Sequence, residues 1–177
     1  MKEVDDNNTL SPYLIVFLLS LFILVLEGSL LGVIFTRVNM PDLLLVFVTC
    51  LAFIWGEKKG VLIGLLAGLL QDLFFGPALG FFALAKMVVA YLAGTTAREV
   101  YKDQLAGPML VVFMATFVHE FIIFSLRFLF WGSGGDLFYF LDVVFLPKAV
   151  YHFMLTIPIY SILYRADQKG YFYPFSK

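Results

Sequence analysis

The sequence contains few charged residues, cysteines and histidines, the residue types that supply most catalytic groups, metal ligands and disulfides. Only 14% of the 177 residues are charged, and the chain contains one cysteine and two histidines. The single cysteine, Cys50, excludes a disulfide framework and a cysteine-based metal site. No Walker loop, G-x-S-x-G elbow or credible Ser-His-Asp set occurs, and a net charge of −1 gives no argument for nucleic acid. We therefore expect a protein that is not an enzyme and that holds neither a cofactor nor a metal.

Apolar residues are abundant instead. They make up 62% of the chain, and charged residues make up only 14%. In an ordinary soluble domain about a quarter of the residues are charged. A soluble domain of this length could not bury so much apolar surface, so the composition predicts an integral membrane protein. We expect one membrane domain over residues 1–177, with a bundle at 12–165 and short tails at 1–11 and 166–177. The N-terminal tail is acidic and lacks the basic region of a cleaved signal peptide, so the first hydrophobic span should be retained.

Apolar runs of about 20 residues indicate membrane-spanning helices. They predict an all-α, six-helix transmembrane bundle, with five spans as the main rival count. The predicted spans are residues 13–35, 43–55, 61–75, 79–96, 108–131, and a last one that begins within 140–150 and ends near 165. The third span is short, roughly 22 Å at the helical rise, and the Gly76-Pro77 turn should end it. Pro147 leaves the start of the last span open, because residues 136–146 could form a separate interfacial helix.

The distribution of basic residues predicts the orientation of the bundle. With six spans, one side of the membrane holds Arg37 and Arg127. The other side holds eight basic residues, namely Lys2, Lys58, Lys59, Arg98, Lys102, Arg165, Lys169 and Lys177. Both termini should therefore lie in the cytoplasm.

A four-residue glycine repeat runs along the third span and into the start of the fourth. Its members are Gly56, Gly60, Gly64, Gly68, Asp72, Gly76 and Gly80, so one aspartate interrupts the glycines. Residues four apart form one ridge on a helix, and small residues let helices approach closely in lipid. We therefore interpret the six glycines as a helix-packing ridge, with Asp72 on the packed face.

Charged and polar residues of several spans are predicted to lie at one depth, in the outward half of the bundle. These candidate pocket or partner-site residues are Glu27, Asp72, Lys86, His119, Glu120, Lys148 and His152. Unpaired charges are costly at that depth, so two alternatives stay open: internal ion pairing, or a site for a ligand or partner. Asp72 and Lys86 are the natural couple across a helical hairpin. Neighbouring His119 and Glu120 do not have the HExxH spacing of a zinc protease.

The stretch Gly64-Leu-Leu-Ala-Gly68-Leu-Leu-Gln-Asp72-Leu-Phe-Phe-Gly76-Pro-Ala-Leu-Gly80 resembles the central signature of the rod shape-determining protein MreD family. That signature reads G-x-x-x-G-x-x-x-D-x-x-x-G-x-x-x-G. The segment Met40-Pro41-Asp42-Leu43 is similar to the proline-plus-polar motif that opens the family's second helix. Glu27 and Glu120 also look like acidic residues of MreD proteins, whereas Lys86 and Lys148 match no family motif.

The resemblance implies a multi-pass protein of the bacterial inner membrane with a non-enzymatic role in cell shape. Such a protein would be a scaffold that binds MreC directly and works with MreB and the elongation peptidoglycan synthases. The family is also similar in fold to the substrate-binding subunits of energy-coupling-factor transporters, which have an outward-facing ligand pocket. A ligand- or lipid-binding membrane subunit is therefore the alternative hypothesis.

Overall fold

All of the described secondary structure is helical. The computed structural model describes residues 10–31, 40–98, 104–132, 144–170 and 172. Six α-helices follow in chain order: α1 (Leu10–Leu26), α2 (Leu43–Trp55), α3 (Glu57–Phe75), α4 (Phe81–Thr96), α5 (Ala106–Trp131) and α6 (Leu146–Gln168). A π-helical turn, Glu27–Leu31, continues α1. No strand occurs in these parts of the chain, so the all-α prediction is confirmed for them.

Helix α5 is the one described helix whose length and composition alone suit it to cross a membrane. Its 26 residues span roughly 39 Å, more than the hydrocarbon core of a bilayer, which is about 30 Å thick. Shorter apolar stretches lie at Tyr13–Ser29, Leu43–Trp55 and Phe81–Thr96. The count of six spans and the side of the termini stay predictions.

Helix α2 is the centre of the bundle. Its sequence, LLLVFVTCLAFIW, is apolar on every side, and a helix of that kind must be covered all round. Residues 44–54 are all buried, and the other five helices all contact α2. The remaining helices therefore form a shell around α2 and leave apolar side chains on their outer faces.

Three of the predicted ridge glycines lie where α3 approaches α2 and α4. A Cβ added at these positions would lie 2.6 Å from the Cβ of Ala52 (at Gly60), 2.6 Å from the carbonyl oxygen of Lys86 (at Gly64) and 2.7 Å from the amide nitrogen of Ala83 (at Gly68). Any side chain there would push the helices apart. Gly94 on α4 behaves in the same way, since its Cβ would lie 2.5 Å from the Cα of Glu57.

The other three ridge glycines do not pack helices together, which corrects the prediction of one continuous ridge. Gly56 and Gly80 have positive φ angles of 87° and 98° and no atom near an added Cβ, so they serve the turns before α3 and α4. Gly76 follows the end of α3, where the Gly76-Pro77 turn was expected to end that helix.

The last helix begins at Leu146, with Pro147 in its first turn. Proline suits that position because the first helical amides have no intrahelical partner. Pro147 therefore starts α6 and does not interrupt it. Most of the interfacial helix considered for residues 136–146 lies outside the described residues.

Candidate functional site

Asp42 begins the site because it caps the N-terminus of the central helix. Its backbone is extended, and its Oδ1 accepts a hydrogen bond from the amide of Leu45 at 2.6 Å. An aspartate immediately before an apolar helix is a favoured N-cap, since the first amides of a helix lack partners. The hydrogen bond to Leu45 holds the Asp42 carboxylate at the N-terminus of α2. Side chains of the surrounding helices can reach its second oxygen there.

Lys86 of α4 and Gln71 of α3 both bind that second oxygen. The Lys86 Nζ lies 2.5 Å from Asp42 Oδ2, and the Gln71 Nε2 donates to the same atom at 3.2 Å. The Lys86 side chain is wholly buried. A buried ammonium needs an anionic partner, and Asp42 supplies it. The pairing of Lys86 with Asp72 that the hairpin suggested is therefore wrong.

Asp72 instead caps the N-terminus of α4. Its carboxylate accepts hydrogen bonds from the amides of Gly80 at 2.8 Å, Phe82 at 2.9 Å and Ala83 at 3.1 Å. The N-cap residue of α4 is Gly80, which has no side chain that could accept hydrogen bonds from these amides. Asp72 thus closes the α3–α4 hairpin and lies apart from the ion pairs.

His152 of α6 links the start of α2 to α5. Its Nε2 accepts a hydrogen bond from the amide of Asp42 at 2.8 Å, so the proton of the neutral ring is on Nδ1. That nitrogen lies 2.9 Å from the Thr116 Oγ1, which in turn donates to the carbonyl of Val112 at 2.8 Å. Each polar group in this chain has a partner, which a buried network requires.

His119 lies between two carboxylates. Its Nδ1 is 3.4 Å from the Glu120 Oε1, and its Nε2 is 3.9 Å from the Asp42 Oδ2. The ring stacks on Phe82 with centroids 6.0 Å apart. Neither ring nitrogen makes a hydrogen bond within the described part of the chain. Glu120 also pairs with Lys148 of α6, whose Nζ lies 3.1 Å from the same Oε1.

Glu27 brings the end of α1 to the same place. Its Oε1 accepts a hydrogen bond from the amide of Leu44 at 2.9 Å, and its side chain is buried. Two carboxylates, Glu27 and Asp42, therefore satisfy successive amides at the start of α2. Anionic groups at a helix N-terminus are favourable because the helix dipole is positive there.

The structure thus gathers six of the seven predicted polar residues around an aspartate that the prediction did not include. We call this group the Asp42 cluster: Glu27, Asp42, Gln71, Lys86, Thr116, His119, Glu120, Lys148 and His152. Asp72 is the predicted residue that lies outside it. The sequence signal for Asp42 was present, since Pro41-Asp42 before an apolar run is a helix start signal. No sequence signal singled out Gln71 or Thr116, which are uncharged polar residues on helices that also carry charged ones.

The Asp42 cluster is suited to holding helices together more than to reaction chemistry. Each of the six helices contributes at least one member, counting the turn that ends α1 and the N-cap residue of α2. Among the described residues, no group of three or more His, Cys, Asp or Glu side chains could hold a metal ion. The side chains of Lys86 and His119 are 0% and 1% exposed, and Lys148 is the most open ion-pair member at 14%. The cluster is therefore closed except beside Lys148.

Comparison with known families identifies the family of the chain. A family model described as rod shape-determining protein MreD matches residues 7–168, so the chain belongs to the MreD family. No curated protein and no solved structure matches the chain. The MreD family is a family of bacterial membrane proteins with a role in determining rod shape, and it is a structural family with no known enzyme activity.

Proposed function

We propose that this chain is a non-enzymatic scaffold of the bacterial cell-elongation machinery. It crosses the inner membrane six times with both termini in the cytoplasm, and it binds the bitopic protein MreC. Through that contact it helps to couple the MreB cytoskeleton and the elongation peptidoglycan synthases, so that the cell keeps its rod shape. The observation that carries the proposal is the match of the MreD family model to residues 7–168.

The use of charge in the bundle supports a scaffold. Lys86 and Lys148 are each paired with a carboxylate, and the Asp72 carboxylate accepts hydrogen bonds from backbone amides. These charged groups thus have their partners within the bundle and are not arranged as a nucleophile with its base. Charges that are buried in pairs can specify one arrangement of helices, although they add little net stability.

The outer faces of the bundle offer apolar surface to a partner helix. Helix α1 exposes a continuous stripe of large apolar side chains: Leu14, Phe17, Leu18, Leu21, Phe22 and Val25. Its opposite face, with Val16, Ser20 and Leu24, is buried against the bundle. Association of transmembrane helices depends on van der Waals packing between such faces. A single-span partner can therefore add a helix to the bundle without disturbing the Asp42 cluster.

Co-purification and complementation test the scaffold proposal together. We expect a tagged chain, extracted in mild detergent from its own membranes, to recover MreC, whereas an unrelated multi-pass protein with the same tag recovers none. We also expect the chain to restore rod shape to cells that lack their own MreD. A folded, monodisperse chain that recovers no MreC and leaves the cells round would contradict the proposal.

Cysteine labelling tests the proposed topology. The starting variant is Cys50→Ser, because Cys50 is fully buried and the substitution removes the one native thiol. In that background, an impermeant thiol reagent applied outside intact spheroplasts should label Ser133→Cys and should not label Lys58→Cys. Labelling of position 58 from outside would overturn the orientation.

A ligand-binding subunit is the second candidate, and one observation favours it. The two ring nitrogens of His119 and the Oε1 of Gln71 are buried without a hydrogen bond in the described structure. A polar ligand that entered beside Lys148 would give them partners. Mass spectrometry of the purified chain separates the two candidates, since a small polar molecule that is retained by the native chain and lost from His119→Phe would favour the second.

A further inference from the structure

The charges of the Asp42 cluster do not balance. The cluster contains three acidic side chains, those of Glu27, Asp42 and Glu120, and two lysines, Lys86 and Lys148. Lys86 is paired with Asp42, and Lys148 is paired with Glu120. Within the part of the chain that the structure describes, no cation is paired with Glu27. One acidic side chain of the cluster therefore has no counter-charge.

The other elements around the start of α2 bring no further charge among the described residues. The titratable groups gathered there are Asp42 before α2, Lys86 on α4, His119 and Glu120 on α5, and Lys148 and His152 on α6. Helix α3 contributes Gln71, which is uncharged. Its Asp72 carboxylate accepts hydrogen bonds from amides at the start of α4. The imbalance must therefore be settled within the cluster.

Glu27 is buried in spite of having no cation beside it. The residue is 1% exposed, and its Oε1 accepts a hydrogen bond from the amide of Leu44 at 2.9 Å. The attraction of an anion to a helix N-terminus is small beside the cost of burying an unpaired charge. A carboxylate in such a place takes up a proton instead. The carbonyl oxygen of the neutral acid can still accept the hydrogen bond from Leu44.

The two histidines of the cluster do not supply the missing positive charge. The Nε2 of His152 accepts a hydrogen bond from the amide of Asp42, so that ring is neutral. A protonated His119 would have two N–H groups, and each would need an acceptor. Neither of its ring nitrogens makes a hydrogen bond in the described structure, although carboxylate oxygens of Glu120 and Asp42 lie 3.4 Å and 3.9 Å away. The proton is therefore assigned to Glu27.

Glu27 also fastens the end of the first helix to the centre of the bundle. It is the first residue of the π-helical turn that continues α1, and Leu44 lies in the first turn of α2. The next two residues, Gly28 and Ser29, are exposed on the surface of the bundle. The Glu27–Leu44 hydrogen bond thus ties α1 to α2 immediately before the chain reaches the surface.

We propose that Glu27 is a proton-binding site, and that the bound proton keeps the end of α1 fastened to α2. When the proton passes to water, the carboxylate becomes charged and has no cation beside it. The end of α1 then moves away from α2 until water reaches the carboxylate. This proton-dependent contact does not depend on the scaffold role.

Infrared spectroscopy of the detergent-purified chain tests the proton directly, because a protonated carboxylic acid and a carboxylate have separate C=O stretches. We expect the wild-type chain to show a carboxylic acid band at neutral pH that disappears as the pH is raised. Glu27→Gln should lack the band. Glu57→Gln is the matched control, since it makes the same change at a glutamate that is paired with Arg98, and it should keep the band.

Chemical unfolding in detergent at a series of pH values tests the contact. An exposed glutamate loses its proton at about pH 4.3, so above that pH the folded chain holds one proton more than the unfolded chain. Stability then falls as the pH rises, until the folded chain also loses that proton. Over this range the unfolding equilibrium constant of the wild-type chain should rise by up to about tenfold per pH unit relative to that of Glu27→Gln. Glu57→Gln should follow the wild-type chain.

Two results would overturn the proposal. The first is a wild-type chain without a carboxylic acid band at neutral pH, which would show that Glu27 is ionised. This result needs no variant, so it decides the question even if Glu27→Gln does not fold. The second is a pH dependence that persists in Glu27→Gln and is lost in His119→Gln, which would place the proton on His119.

Discussion

Two aspartates of this bundle cap the N-termini of two helices, and their carboxylates have different kinds of partner. Asp72 accepts three hydrogen bonds, all from backbone amides within eleven residues along the chain. Asp42 binds one nearby amide and then Lys86 and Gln71, which belong to two other helices. The first aspartate closes a hairpin, whereas the second joins distant helices at one point.

The comparison explains the spacing of the motif around Asp72. Gly76 leaves room for the carboxylate, because an added Cβ would lie 2.8 Å from the Asp72 Oδ1. Gly80 supplies the positive φ angle that turns the chain into α4. The D-x-x-x-G-x-x-x-G pattern is therefore a capped turn that is local in sequence. No local pattern of this kind describes the contacts of Asp42.

The largest effect is expected from breaking the Asp42–Lys86 pair. Lys86→Met leaves a buried carboxylate without its cation and should lower the free energy of unfolding by about 3–5 kcal/mol. The double variant Asp42→Asn/Lys86→Met should recover much of that loss, since asparagine keeps the N-cap and carries no charge. Thermal unfolding in detergent measures both. A double variant no more stable than Lys86→Met would show that the two residues do not stabilise each other.

Removing the charge of Asp72 should have a smaller effect. Asp72→Asn weakens hydrogen bonds to a charged acceptor and should cost about 1.5–3 kcal/mol of unfolding free energy. The loss should add to that of Lys86→Met within about 0.5 kcal/mol, because the two side chains share no hydrogen-bond partner. A strong coupling between them in the same unfolding assay would restore the hairpin pair that the structure excludes.

Crowding the Asp72 cap tests why a glycine follows α3. Gly76→Ala places a Cβ 2.6 Å from the Asp72 Cα and should cost about 1–2 kcal/mol of unfolding free energy. Gly28→Ala is the matched control, since its Cβ would meet only the ring of Phe75, with the nearer atom at 3.0 Å. That ring can move, so the control should lower the melting temperature less. Equal shifts for the two variants would mean that Gly76 makes no room for the cap.

The smallest effect is expected at the exposed ion pair. Arg98→Gln removes the partner of Glu57, but the Arg98 side chain is 69% exposed, and solvent screens such pairs. The unfolding free energy should change by at most about 0.5 kcal/mol. The change in unfolding free energy for Arg98→Gln is the reference for the change caused by breaking the buried Asp42–Lys86 pair. A loss as large as that of Lys86→Met would mean that burial does not distinguish the two ion pairs.

Much of the fold could be predicted from the sequence because the signals are local. Apolar runs located each described helix, the Gly76-Pro77 turn marked the end of α3, and glycine spacing indicated the close approach at Gly60, Gly64 and Gly68. The prediction extended the ridge too far because periodicity alone does not separate a helical glycine from a turn glycine. Positive φ angles at Gly56 and Gly80 mark the difference.

The site was predicted less completely. Depth along each helix placed Glu27, Lys86 and His119 in one group, since the rise per residue is constant, and in the structure all three lie at the start of α2. The choice of partner was not predictable in this way. The helical hairpin suggested Asp72 as the partner of Lys86, whereas the packing of α4 against the other helices directs Lys86 to Asp42.

By itself, the sequence determined an all-helical, mostly apolar bundle, its caps and turns, and its membership of a shape-determining family. The helices and turns depend on composition and on residues that are near one another in the sequence. Tertiary structure alone decided that Asp42, and not Asp72, neutralises Lys86, and that His152 binds the amide of Asp42. The physical reason is the same in both cases. A helix can rotate and tilt without changing its local hydrogen bonds, so its partners are set by how all the helices pack together.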